Sequence, residues 1–599
     1  MKGSAGNLTL NGANTYSGGT TVNGGTLIGA AANSIQGNFV NNGTVRFSAN
    51  HTYSGNMSGS GSVDIASGDI TFTGNNSYTG GTTVSNASLT TNSAGLSGPV
   101  TLNDSFLTFV QQSNGTFNGS VSGTGVVIKV GSGELVLANA STYSGTFEHQ
   151  VGSLGIGDNQ SFGTSQVNLA SGTTVRADGA ARIVNNSVTI GNNVTFSGNQ
   201  DLTFTNVAPI NLGIGQNLTS TNSGTTTLVG KFDGAAGSVL SVSNGTLAIG
   251  NSQSFVGFRS AGLLDIGPGA TLKILSAGFA DVSPQTELSQ GRIIADNGIA
   301  LGASKNLIGN GVVDAKIAAA QGSIISATTG NLTIGKATSV TGFVSDGELY
   351  TNQYTVTIND ANQAVLGSLT QLGNSTGAGT LTAGTALAGQ TSMHFLLEEG
   401  KNLVGHGTVN GNFKNQGDVI GDGTALSDRI VFESDWIVKG NGSFTNTLIK
   451  GTYSPGNSPA IVTGLNQAFA GKIEFELGGL LPGFNANNHD QLNDLGTISL
   501  LGGTILKISQ FSNFTPHLGD SFQIMSWQTG LNGLFSGVEI DPFFSSQGLD
   551  FKLNYSNTGG PGVLSLLIIT AVPEPSSLAM LVVAVFTLGW RRPRARQDI

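Results

Sequence analysis

Single apolar residues alternate with small polar ones along most of the chain, as in Leu8-Thr9-Leu10, Ile70-Thr71-Phe72 and the neighbourhood of Leu135-Val136-Leu137. A period of two is that of a strand with one buried face. The residues between these runs are Gly, Asn, Ser and Thr, which are weak in helix interiors and suited to corners. The pattern predicts an all-β chain. Disorder is the competing reading for so polar a sequence. It fails because 38 % of the residues are hydrophobic and alternate steadily.

The pattern also repeats. Residues 8–27 (LTLNGANTYSGGTTVNGGTL), 70–89 (ITFTGNNSYTGGTTVSNASL) and 135–154 (LVLANASTYSGTFEHQVGSL) align, starting at Leu8, Ile70 and Leu135. That near-even spacing predicts three coils of about 21 residues per repeat, a solenoid rung. Leu8 and Leu10 then share a face and stack on equivalents in the next coil, while Asn11-Gly12 and Gly18-Gly19 take corners that need φ > 0. Tyr16, Tyr78 and Tyr143 hold one repeat position. They could form a carbohydrate-stacking ladder, but a ring packed over each corner is the favoured reading. These segments resemble the autotransporter-associated β-strand repeat of passenger domains. A second repeat pairs 305–325 with 401–421, with a looser copy at 439–456. His406 falls where the sister copy has Asn310, so it reads as a solvent-facing turn rather than a ligand.

Composition narrows the function. The chain has no Cys and a formal charge of −10, with only 10 % charged residues. No disulfide framework or Cys-based metal site is possible. An acidic, sparsely charged body argues against nucleic acid, which needs clustered Lys and Arg. A surface rich in Asn, Thr and Ser suits extracellular polysaccharide or other copies of the chain as partners. Carboxylates that could carry chemistry occur at a few places. Glu398-Glu399 are adjacent and would point to opposite faces of a strand. Glu474 and Glu476 share a face beside Lys472 and read as a charge-guarded strand edge. His489-Asp490 and Asp494 lie in an Asn-rich stretch read as a solvated loop. Gly421-Asp422-Gly423 lacks the spacing of a calcium-binding repeat. The expectation is a non-enzymatic protein with no cofactor and no metal.

The chain changes character at Val572. Val572-Pro573-Glu574-Pro575 is followed by an apolar run from Leu578 to Trp590 and by Arg591, Arg592, Arg594 and Arg596. Prolines keep the first part extended and accessible. The uncharged run turns helical in lipid, and the arginines hold the end on the cytoplasmic side. Ser576 to Trp590 gives roughly 22 Å of helix at 1.5 Å per residue, a marginal span for a hydrocarbon core of about 30 Å. The trio resembles the PEP-CTERM signals read by exosortases in Gram-negative bacteria. That resemblance implies an exosortase partner, transient insertion in the inner membrane, and delivery to the cell surface or beyond.

The expected architecture is a right-handed parallel β-helix or solenoid with an aromatic-rich C-terminal β module and one short C-terminal transmembrane helix. Its parts are repeats at 1–160, a degenerate solenoid at 161–450, a capping module at 451–571 and the sorting signal at 572–599, with its helix at about 577–590. The module begins where TYSPGNSPA introduces two prolines, and it resembles the segment preceding the tag in other PEP-CTERM proteins. Lys2-Gly3-Ser4-Ala5-Gly6-Asn7-Leu8 already resembles Lys129 to Leu135, and no secretory signal precedes it. The expectation is a truncated chain or a misassigned start. The functional expectation is a secreted surface or matrix solenoid. The alternatives are a glycan-binding adhesin and a β-helical polysaccharide-degrading enzyme.

Overall fold

The computed structural model describes residues 1–282, 284–384, 392–456 and 458–570. The chain is a parallel β-solenoid of about 22 turns. The residues fall into two compact units. The first holds Met1–Ser368 and the described part of Leu381–Gly389; the second holds Leu369–Thr380 and the described part of Gln390–Ile599.

In the first unit strands pair in parallel with strands one turn later. One ladder runs Leu8, Leu27, Val45, Val63. A second runs His51, Ile70, Leu89, Leu107, Val127. A third runs Gly115, Leu135, Leu154, Val175, Phe196. The three copies of the sequence repeat therefore start in three different ladders. Each copy spans one turn, since Leu8 pairs with Leu27, Ile70 with Leu89 and Leu135 with Leu154. Three turns from Leu8 reach Val63, and Ile70 lies further along, on the next face. The repeat is thus three turns plus one face. The early turns, Leu8 to Leu27, Leu27 to Val45 and Val45 to Val63, are each shorter than the even coil that the repeat spacing predicts.

The inner residues of successive turns stack and are removed from water. Val45, Ile65, Leu89, Leu107 and Leu135 are fully buried, each contributing about 1.5–3 kcal/mol. Aromatic rings join the stacks, with Phe47 and Phe72 at 5.6 Å and Tyr53 and Phe72 at 5.9 Å. Leu8 is 45 % exposed, whereas its equivalents Ile70 and Leu135 are 1 % and 0 %. Asn7–Leu10 pairs on one side only among the described residues.

At some positions glycine is required for close approach of stacked backbones rather than for corner conformation. A Cβ on Gly55 would lie 2.0 Å from the Gly37 carbonyl oxygen, and one on Gly74 the same distance from that of Gly55. Gly12 and Gly18, assigned above to φ > 0, do not adopt it, and nothing lies within 4 Å of a Cβ there. Buried asparagines tie the corners. Asn41 accepts from the Gly43 N–H at 3.2 Å and donates to the Ser62 carbonyl at 2.9 Å.

The second unit repeats these devices. Leu403 pairs with Val419 as Leu307 pairs with Ile325 in the first, so each copy of the second sequence repeat also spans one turn. Asn415 brackets Gly417 N–H and the Ser443 carbonyl as Asn41 does at its own corner. The parallel ladder continues past Gly451 through Thr452–Pro455, Lys472–Leu477, Ile505–Gln510 and Gly537–Ile540. Direction then reverses. Gly562–Thr570 lies antiparallel to both Ser521–Trp527 and Leu549–Tyr555. Phe522, Trp527 and Phe544 are buried in this aromatic end module. Trp527 donates its indole N–H to the Asn557 carbonyl at 3.0 Å.

Candidate functional site

The repeat tyrosines are core residues. Tyr78 and Tyr143 are 0 % and 1 % exposed, and only Tyr16 reaches the surface, at 36 %. The Tyr78 hydroxyl meets Thr82 Oγ1 at 2.5 Å, and Ser165 Oγ donates to the Tyr143 hydroxyl at 3.3 Å. Burial pushes both phenols above their ordinary range. A carbohydrate ladder on this position is excluded because two of its three rings face inward.

Glu474 and Glu476 do not guard an edge. Lys472–Leu477 has parallel partners on both sides. Glu474 is the register partner of Lys507, and their side chains form an ion pair of 2.7 Å. Ser509 Oγ donates to the same carboxylate. Lys472 pairs with Glu539 at 2.5 Å. Burial raises the Glu476 carboxyl, with the nearby Glu474 charge adding to the effect. Glu398 and Glu399 lie in the turn after Phe395–Leu397 rather than in a strand, and Glu398 pairs with Lys401 at 2.8 Å.

His489, Asp490 and Asp494 are not in a solvated loop; they are 1 %, 0 % and 1 % exposed. Asp490 accepts the N–H of Ala460 and that of Glu476, both at 2.7 Å. Burial pushes its carboxyl up to about 9, against the pull of these two donors. Asp494 accepts from the N–H groups of Asn466, Gln467 and Gly496 at 3.0, 3.0 and 2.7 Å. Both acids stitch neighbouring turns together. His489 places Nδ1 3.1 Å from the Gly479 carbonyl and Nε2 3.2 Å from that of Gln523. Among the described residues no group of three or more His, Asp or Glu could hold a metal ion. His406 is partly exposed and pairs with Asp422 at 2.7 Å, a surface turn contact as expected.

Sequence reasoning missed the interior lysines, although the likeness of Lys2 to Lys129 was visible. Lys129 is 0 % and Lys2 7 % exposed. Lys129 donates to the carbonyls of Gly131 and Val151, both at 2.7 Å. Lys2 repeats the bracket with Ser4 and, at 3.0 Å, Gly24. In both cases the first acceptor lies just along the chain and the second lies in the next turn.

The sorting residues Val572, Pro573, Glu574, Pro575, Arg591, Arg592, Arg594 and Arg596, and the helix expected at 577–590, lie outside the described residues. They are accessible through comparison with known families. The model of the passenger-associated transport repeat matches residues 2–28, 67–90 and 127–148. The model of the PEP-CTERM protein-sorting motif matches residues 571–594. No curated protein matches the chain. With the solenoid on one side and this tail on the other, the chain carries passenger-associated repeats and a PEP-CTERM sorting motif, and that motif marks it for exosortase-dependent sorting to the bacterial envelope and cell surface.

Proposed function

We propose that the body of this protein is a non-enzymatic scaffold displayed at the cell surface or in the extracellular matrix after the tail has been processed. The sorting motif at 571–594, attached to a long repetitive solenoid, carries this reading. The fate of the carboxylates supports it. Asp490 and Asp494 are occupied by backbone N–H groups, and Glu474 by Lys507 and Ser509. Acids bound in this way hold turns together and are poorly placed for proton transfer to a substrate. The partners of such a scaffold are extracellular polysaccharide and further copies of the chain. Cation-poor composition makes nucleic acid unsuitable.

Mass spectrometry of the C-terminal peptide of cell-derived protein tests the sorting half. A chain ending near Pro573–Pro575 is expected, and one still ending at Ile599 overturns it. Incubation of the purified body with exopolysaccharide tests the other half. New reducing or unsaturated ends would make the protein an enzyme.

A further inference from the structure

We propose that the groove around Phe106 is a binding subsite for a neutral glycan. The proposal rests on the reading of the body as a scaffold in contact with polysaccharide, and it names where that contact is made.

Phe106 is 50 % exposed although it sits in the strand Val100–Val110, whose neighbouring apolar residues Leu102, Leu107 and Phe109 are fully buried. It points outward, in register with Ser88 on one side and Val126 on the other. Its ring lines an open groove with Asp69, Asn86, Ser88 and Asp104. Asp69, Ser88 and Phe106 belong to three consecutive turns, so the groove crosses two rung spacings, roughly 10 Å. Thr71, Thr90 and Thr108 form a second outward row beside it on the same three turns.

One ring flanked by Val126 and Ala87 in an otherwise polar surround is too small an apolar patch for a protein interface. It is well suited to a ligand with one apolar face and a rim of hydroxyls, and a pyranose is such a ligand. The aromatic face takes the C–H face of the sugar. Asn86, Asp69 and Asp104 offer amide and carboxylate groups to the hydroxyls. The groove has no Lys or Arg in its lining. Its two carboxylates set it against uronic or sulfated polymers, so the glycan is neutral. A divalent cation is the other ligand that oxygen donors could take. The calcium arm of the test below separates the two.

The test is affinity electrophoresis of the full chain in gels containing laminarin, xyloglucan or galactomannan, with alginate and polygalacturonate as anionic controls. Retardation by at least one neutral polymer and by neither anionic one is expected. Phe106→Ala should weaken it tenfold or more without moving the thermal midpoint, and Phe106→Trp should preserve it. Phe255→Ala, at a ring 77 % exposed elsewhere, should leave it unchanged. The proposal is overturned by binding that survives Phe106→Ala, by retardation in the anionic gels, or by no retardation in any neutral gel. A shift of melting temperature with calcium alone that disappears in Asp104→Asn would replace it with a cation site. C-terminal processing is measured separately, so failure here leaves the sorting assignment intact.

Discussion

Lys129 and His149 are register partners on adjacent turns, and both side chains point into the core with no exposed surface. The ring nitrogens of His149 make no well-formed hydrogen bond, with the backbone of Val151 and Gly152 offering only partial compensation. Burial, reinforced by the Lys129 charge, pushes the imidazole down to about 4 from an ordinary 6.5. Burial also holds Lys129 down at about 8. The folded state thus binds the histidine proton less readily than the unfolded state. The part of the stability that depends on this histidine is full above pH 6.5 and is lost as the pH falls from there toward 4, by about 3 kcal/mol at most. Leu169 and Phe109 occupy the flanking positions of this ladder, so His149→Leu should be tolerated and should flatten the acid limb of a melting-temperature profile. Lys129 titrates in another window, above about 8. An unchanged acid limb in His149→Leu would place the acid sensitivity elsewhere.

Thr286 interrupts a ladder of leucines. Its register partners are Leu264 and Leu307, its hydroxyl is buried, and that hydroxyl has no hydrogen-bond partner. It lines a small apolar cavity with Ile293, Ile299, Leu301 and Val313. A buried hydroxyl without a partner loses its hydration for no return. Thr286→Val keeps the shape and removes the polar atom, and should stabilise this region by about 1 kcal/mol. Solenoid stability is local, so hydrogen exchange of the peptides around 264–307 is the measurement. Faster exchange in the variant would mean that the hydroxyl is satisfied by a buried water.

Alternation in the sequence reveals the strands, and the recurrence of 8–27 at 70–89 and 135–154 reveals the coiling. Both follow from side-chain direction, which is a local property. The number of turns per repeat is not local. Leu8 and Ile70 look equivalent because both lie in a strand that stacks on another one turn later, yet they occupy different ladders. That Glu474 and Glu476 share a face is legible from their alternation. Whether their strand has neighbours on both sides depends on Thr452–Pro455 and Ile505–Gln510, distant in sequence. Asp490 and Asp494 are misread as loop residues for the same reason. An acid among asparagines has the same composition in a loop as in a buried bracket, and the difference lies in N–H groups contributed from Ala460 and Asn466, a full turn earlier.

Gly55 separates packing from backbone freedom as the reason for glycine. It does not adopt positive φ, and a Cβ there would stand 2.0 Å from the carbonyl oxygen of Gly37, a backbone atom that cannot swing away. Gly55→Ala must push two turns apart and should cost about 2–3 kcal/mol, the scale of overpacking in a tight core. Gly12→Ala meets nothing within 4 Å and should change stability by no more than about 0.5 kcal/mol. Limited proteolysis of the two variants provides the comparison. Equal resistance would show that the turns can separate freely at Gly55.

Asn41 offers the sharpest test of the corner brackets, because its neighbour Asn42 serves as an internal control. Asn41 is 0 % exposed, takes the Gly43 N–H on Oδ1 and gives Nδ2–H to the Ser62 carbonyl on the next turn. The acceptance of the glycine N–H recurs at Asn222 with Gly224 and at Asn415 with Gly417, each written Asn-x-Gly in the sequence; Asn415 also donates to the next turn, at Ser443, whereas Asn222 donates to the preceding one, at Gln200. Asn41→Leu removes the partner of the half-buried Gly43 N–H and Ser62 carbonyl and should cost about 1–3 kcal/mol. Asn41→Asp should be at least as damaging, because the carboxylate cannot donate to Ser62 and is buried without a counter-charge. Asn42→Ala, at an exposed side chain whose Oδ1 accepts only from Ser60, should cost about 0.5 kcal/mol or less. Hydrogen exchange at the amide of Gly43, which donates to Asn41, distinguishes the cases. Protection should collapse in Asn41→Leu and persist in Asn42→Ala, while Asn41→Asp, which still accepts the Gly43 N–H, should show its damage as a lowered melting temperature. If Asn41→Leu retained protection, the bracket would be a consequence of the corner rather than its cause.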